Sequence, residues 1–166
     1  PTVRGQILDR KGRVLARDRA SYDAAISYRV ITGEWASDRA TAFVRSFYRE
    51  QWHDMPKAQK ESLIERARAV YVEHLDRAFD ELAKIAGVSR TSLDTSCGNV
   101  RDEVLRMQAH LVGINRDAEL KAAGERGELV TPELMRAIEK RVDQPIREMK
   151  IPHRVLSRLS DKAALD

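Results

Sequence analysis

The chain has 166 residues, 30 basic against 26 acidic side chains, a formal net charge of +4, and only 5% aromatic residues. That length supports one domain with a core, and the 34% charged content predicts much exposed helix surface on an elongated body. The charges are well mixed and no Lys/Arg block stands out, so composition gives no nucleic-acid footprint. A lone cysteine, Cys97, excludes an internal disulfide and reads as small core filler. No apolar run reaches the roughly 20 residues a membrane helix needs.

In chain order, the first element is a tight hairpin. Ile7-Leu8 and Val14-Leu15 flank Asp9-Arg10-Lys11-Gly12, a turn with Asp at its first position and Gly at its last. The Asp9 carboxylate can accept backbone N–H groups within the turn, and Gly12 can take positive φ without a Cβ clash. Residues 21–30 then place Tyr22, Ala24, Ile26, Tyr28 and Val30 at alternating positions, which predicts a half-buried strand. Thr32-Gly33 marks a turn.

From Ser37 the period becomes helical. Ser37 is the expected N-cap, with Ala40, Phe43 and Phe47 on the buried face up to about Trp52. His53-Asp54-Met55-Pro56 breaks this run. A 30-residue helix is expected over 57–86, with Ile64, Tyr71, Leu75, Ala78, Leu82 and Ile85 as its apolar stripe and Gly87 as its stop. A second stripe, Val100, Val104, Met107, Leu111, Ile114 and Ala118, alternates steps of four and three. That spacing predicts an antiparallel pairing with the first helix. Gly124-Glu125-Arg126-Gly127 ends it, and Thr131-Pro132 restarts a shorter helix with Leu134, Ile138 and Val142 inward. Ile151-Pro152 and Val155-Leu156 favour an extended segment, and Ser160-Asp161-Lys162 reads as a new N-cap. The sequence starts at Pro1 without an initiator Met and stops at Asp166 in what reads as a starting helix, so a longer parent protein is expected.

The run from Arg4 to Ala16 also resembles the segment that opens the extracytoplasmic part of class B penicillin-binding proteins, Arg-Gly-x-Ile-x-Asp-Arg-Asn-Gly-x-x-Leu-Ala. Arg4, Gly5, Ile7, Asp9, Arg10, Gly12, Leu15 and Ala16 fall in place, and Lys11 departs from the usual Asn. The match is strong over residues 4–16, loose over 21–30 and 146–166, and absent over about 36–143. The resemblance implies a non-catalytic pedestal, or dimerisation, domain: an α+β fold, mostly α by residue count. Its β platform (1–33, returning at 146–166) would carry a helical insertion over 36–143. These motif residues are carried over as structural, with Arg4 able to clamp a carboxylate. The resemblance further implies a parent anchored by an upstream membrane helix and facing the periplasm or cell exterior. Its partners would be cell-wall proteins of division or elongation, or a second copy, and its downstream domain would be an acyl-serine transpeptidase.

No catalytic residue is expected here. Transpeptidation in this family needs Ser-x-x-Lys, Ser-x-Asn and Lys-Thr/Ser-Gly elements, and no serine has Lys three residues on, nor is any Lys followed by Ser/Thr-Gly. No metal or cofactor is expected either, because His53, His74, His110 and His153 lack metal-ligand spacing. His74 reads as a helix-interface residue, and Glu73–Arg77 and Asp80–Lys84 as exposed i,i+4 pairs. The competing signal is Leu82 to Leu93, which reads like a helix-turn-helix around Gly87-Val88-Ser89. Against DNA binding, the first helix is too long, the second would stop near Gly98, and Asp94 would face phosphates. A DNA-binding regulator, a free-standing helical adaptor and a pedestal from an inactive relative stay open as alternatives.

Overall fold

The computed structural model describes residues 7–16 and 22–159. Arg4, Gly5 and the expected cap at Ser160 lie outside the described residues. Within them the elements are β1 (Ile7–Leu8), β2 (Val14–Ala16), β3 (Tyr22–Ser27), α1 (Tyr28–Ile31), α2 (Glu34–Phe47), α3 (Lys57–Ala86), α4 (Arg90–Glu125), α5 (Pro132–Val142), a 3-10 turn (Arg147–Lys150) and β4 (Pro152–Leu159). The fold is mostly α, with two small antiparallel two-stranded sheets, β1–β2 and β3–β4.

The pairing of β3 with β4 organises the chain. Ala24 faces Leu156, Ile26 faces His153 and Ser27 faces Pro152, so the helical body leaves and returns at neighbouring points. Asp23 pins the far end of the ribbon: it accepts a hydrogen bond from Arg154 (3.2 Å) and another from the Arg158 backbone N–H (3.3 Å). Arg158 adopts a left-handed φ of 61° there, a conformation a non-glycine residue keeps only where its surroundings hold it. The strand expected over 21–30 ends early, because Tyr28 and Val30 belong to α1. The Tyr28 ring is buried edge-on to His153 at 6.0 Å. Its phenol is pushed above its ordinary pKa, chiefly by burial.

Gly33, with φ of 79°, caps α2 in place of Ser37, which sits one turn inside the helix. The Ser37 side chain instead accepts from Arg68 Nε of α3 at 3.2 Å. The buried stripe of α2 is Ala36, Ala40 and Val44, small residues that let α2 lie close along α3. Phe43 and Phe47, expected inside, stack on the surface, and the helix ends at Phe47 rather than at Trp52. In α3, Ile64, Tyr71, Leu75 and Leu82 are half-buried, whereas Ala78 and Ile85 are exposed.

α3 has its expected bounds, and Gly87 closes it in the left-handed conformation with φ of 68°. The expected α3–α4 seam is not formed. α3 packs chiefly along α2, and α4 along α5 and β4. The two long helices share a core at their common corner. There Ala83, Leu93, Cys97 and Val155 are buried, with Ile26, Phe79, Leu82, Val88, Val100 and Leu156 around them. Farther along α4, Val104 is buried but Leu111 (42%) and Ile114 (51%) stay exposed, and so does Ala118. The Thr131 cap forms as expected, its side chain accepting from Leu134 N–H at 3.2 Å. Ile138 and Val142 are buried and Leu134 is half-buried.

Candidate functional site

Two places concentrate polar chemistry: the β1–β2 turn and the α3–α4 corner. In the turn, Gly12 N–H donates to the Asp9 carbonyl (2.9 Å), and Asp9 N–H donates to the Arg13 carbonyl (2.9 Å). Asp9 Oδ1 accepts from the backbone N–H groups of Lys11 (2.8 Å) and Arg13 (2.9 Å), while Oδ2 accepts from Arg13 Nε at 2.7 Å. The Arg13 backbone bond, then its guanidinium, hold the Asp9 carboxyl below its ordinary value. Gly12 takes φ of 76°. The departure at Lys11 is absorbed because the turn uses its backbone N–H. Arg10 and Gly12 are exposed in the turn, and Ile7 and Leu15 project from strands whose apolar side chains are open to solvent. Ala16 pairs opposite Ile7. The motif residues within the described range therefore form one hairpin, and its chemistry is that of a turn. It binds its own backbone and offers no nucleophile.

At the corner, Ser89 caps α4 by accepting from Ser92 N–H at 3.1 Å. Arg90 then reaches back to three carboxylates: Asp94 (2.8 Å), Asp80 (2.6 Å) and Asp76 (3.0 Å). It also donates to the Asp76 carbonyl (3.0 Å) and lies over the Phe79 ring. Hydrogen bonds to Asp94 and Asp80 raise its pKa further above an already high value. Since Arg90 is about one-third exposed and its partners more than half, each pair contributes little stability. The planar guanidinium fixes the angle between the helices, a geometric role that lysine would not fill. Asp80 is thereby taken from Lys84, its expected partner, whereas Glu73–Arg77 forms at 3.2 Å. The corner opens into a cleft of about 440 Å³ between α1, α3 and α4, lined by Phe79, Arg68, Arg101 and Gly98 among others. Cys97 lies under it, its thiol pushed up by burial.

The Gly87-Val88-Ser89 corner joins two helices as the helix-turn-helix pattern expects. α4 does not stop near Gly98 as expected but continues to Glu125, which removes that ground against DNA binding, while Arg90, which opens α4, is engaged by the carboxylates of Asp76, Asp80 and Asp94. His74 is exposed, edge-on to Tyr71 at 6.4 Å, rather than within a helix interface. His153 Nε2–H donates to the Glu148 carbonyl at 2.6 Å. Among the described residues no His/Cys/Asp/Glu group has metal-site geometry. The Arg90 cluster escaped sequence reasoning because Asp76 and Asp80 lie a helix away. The i,i+4 spacing of Asp76 and Asp80 on α3 was the available signal. Compared with known proteins, the chain matches no family model, no curated protein and no solved structure.

Proposed function

We propose that this chain is the non-catalytic pedestal region of a class B penicillin-binding protein, acting in peptidoglycan synthesis. It would position a downstream transpeptidase domain and contact division or elongation proteins, or a second copy. The observation that carries the reading is the Arg4–Ala16 run, whose turn residues adopt the hairpin the motif calls for. The antiparallel return of residues 152–159 beside 22–27 supports it, since an insertion on a split β platform needs that closure. In this reading the parent is anchored by an upstream helix and works at the periplasmic or outer face of the cytoplasmic membrane.

Acylation by a β-lactam needs a serine activated by a nearby lysine and an oxyanion site. The test is fluorescent-penicillin labelling of the full gene product beside the 166-residue chain. The full product is expected to label at a serine outside these residues, and the chain to remain unlabelled. A full product with no Ser-x-x-Lys and no label would remove the assignment and leave a helical interaction protein.

A further inference from the structure

The end of the α2/α3 hairpin at which α2 gives way to α3 carries a combination found nowhere else among the described residues. Phe43 and Phe47 stack at 6.0 Å and remain 53% and 71% exposed. Tyr48 meets Phe47 edge-on at 4.9 Å, and Trp52 lies beneath the Lys60 ammonium at 5.1 Å. A shallow groove of about 270 Å³ runs beside the rings, with Leu63, Arg66 and Ala67 on its α3 side. Exposed phenylalanines on a helix of small buried residues are costly in water, and nothing in α2 packing requires them.

The charge around these rings is uneven. Over residues 43–68, Lys57 is paired with Glu61 and Arg68 with Glu65. That leaves Arg45, Arg49, Lys60 and Arg66 without an ion-pair partner among the described residues, against only Glu50 and Asp54. A basic excess beside protruding aromatic rings is complementary to an anionic, apolar-cored surface. Two features favour a lipid surface over a protein. Two partly exposed rings offer on the order of 250 Å² of apolar surface, short of the roughly 450 Å² of apolar area within the roughly 800 Å² a stable protein partner covers. A second copy would also bring like charges together. Shallow insertion of Phe and Trp at headgroup level, with arginine and lysine over acidic lipid, needs no larger area.

We propose that this end of the hairpin docks on an anionic bilayer surface, with Phe43 and Phe47 inserted and Arg49, Lys60 and Arg66 over the lipid phosphates. The inference goes beyond the cell-wall reading and does not depend on it: a failed penicillin label leaves it standing. With Arg45 on the far side of α2, Arg49, Lys60 and Arg66 against Glu50 and Asp54 leave one uncompensated basic residue, which predicts about 5-fold tighter binding to anionic than to neutral vesicles at low salt.

The test is co-sedimentation of the 166-residue chain with vesicles of phosphatidylglycerol and phosphatidylcholine in equal parts, beside pure phosphatidylcholine. Binding to the anionic vesicles is expected, reduced more than tenfold in F43S/F47S and largely lost in about 0.5 M salt. Both phenylalanines are surface residues, and a thermal melt matching the parent chain establishes that the variant is folded. A second variant, R49A/R66A, should lose the preference for phosphatidylglycerol while keeping weak binding to both vesicles. Absence of binding, equal binding to both vesicle types, or binding untouched by F43S/F47S would overturn the proposal. So would a dimer in sedimentation equilibrium without lipid that F43S/F47S abolishes, which would assign the rings to a second copy.

Discussion

Leu93→Ala measures how much of the fold depends on the α3–α4 corner. Leu93 is fully buried, enclosed by Ala83, Cys97 and Val155 with Phe79 and Leu82 beyond. The substitution removes three carbons, about 2.4 kcal/mol of transfer free energy at roughly 0.8 kcal/mol each. The surrounding backbone is held by the Ser89 cap and the Arg90 cluster, so collapse into the vacated space is limited and a cavity term of about 1 kcal/mol adds to the loss. The expected destabilisation is about 3 to 4 kcal/mol, or roughly 6–16 °C in Tm for a chain of this size. Leu111→Ala, on the same helix at 42% exposure, should cost less than about 1 kcal/mol. Urea unfolding followed by circular dichroism reads both, with unchanged m-values as the condition for comparing them. Equal losses for the two variants would refute the reasoning, because Leu111 would then be buried in the seam its spacing suggests.

Two further outcomes concern the hairpin. Gly12→Val should cost on the order of 1–3 kcal/mol through positive φ alone, since a Cβ at Gly12 meets nothing within 4 Å. Faster amide exchange at Asp9 and Gly12 reports it, and unchanged protection would mean that the turn is not formed. For Asp9, whose carboxyl is held below its ordinary value by the Arg13 backbone N–H and guanidinium, the carboxylate's support of the turn is fully present above that ordinary value. It is lost as pH falls through the lower, folded pKa. An NMR titration should therefore find the Lys11 and Arg13 amide shifts moving with a midpoint below the ordinary aspartate value, and a midpoint at or above that value would contradict the geometry.

Sequence reasoning succeeded where structure is decided within one turn of chain. The Asp9–Gly12 hairpin, the Gly87 stop and the Thr131-Pro132 start each rest on a side chain or φ preference acting on its nearest neighbours. It failed where a distant element chose between equivalent faces. Phe43 and Phe47 have helical spacing suited to burial, yet α3 accepts the Ala36–Ala40–Val44 face because small residues allow closer approach. Leu111 and Ile114 have coiled-coil spacing, yet α3 diverges beyond the corner and α5 takes a neighbouring face. Ser37 reads as a cap in isolation, but Gly33 starts the helix a turn earlier and frees the Ser37 hydroxyl for Arg68. The corner cluster was illegible for the same reason: Asp94 is a local i,i+4 partner of Arg90, but Asp76 and Asp80 join it only once the chain has turned at Gly87.

The meeting of Ser27 with Pro152 across the β3–β4 ribbon has a consequence for how such a chain changes over generations. Everything between these two residues hangs from a single doorway, so helical segments away from the α3–α4 corner can be gained, lost or exchanged there, whereas the corner itself is tied to the strands because Ala83, Leu93 and Cys97 bury Val155 beside Ile26 and Leu156. Closing the doorway with a short Asn-Gly turn would leave a plain β-hairpin of residues 22–27 and 152–159. The part of the helical body beyond that shared core is in that sense a cassette, free to diverge at its own rate.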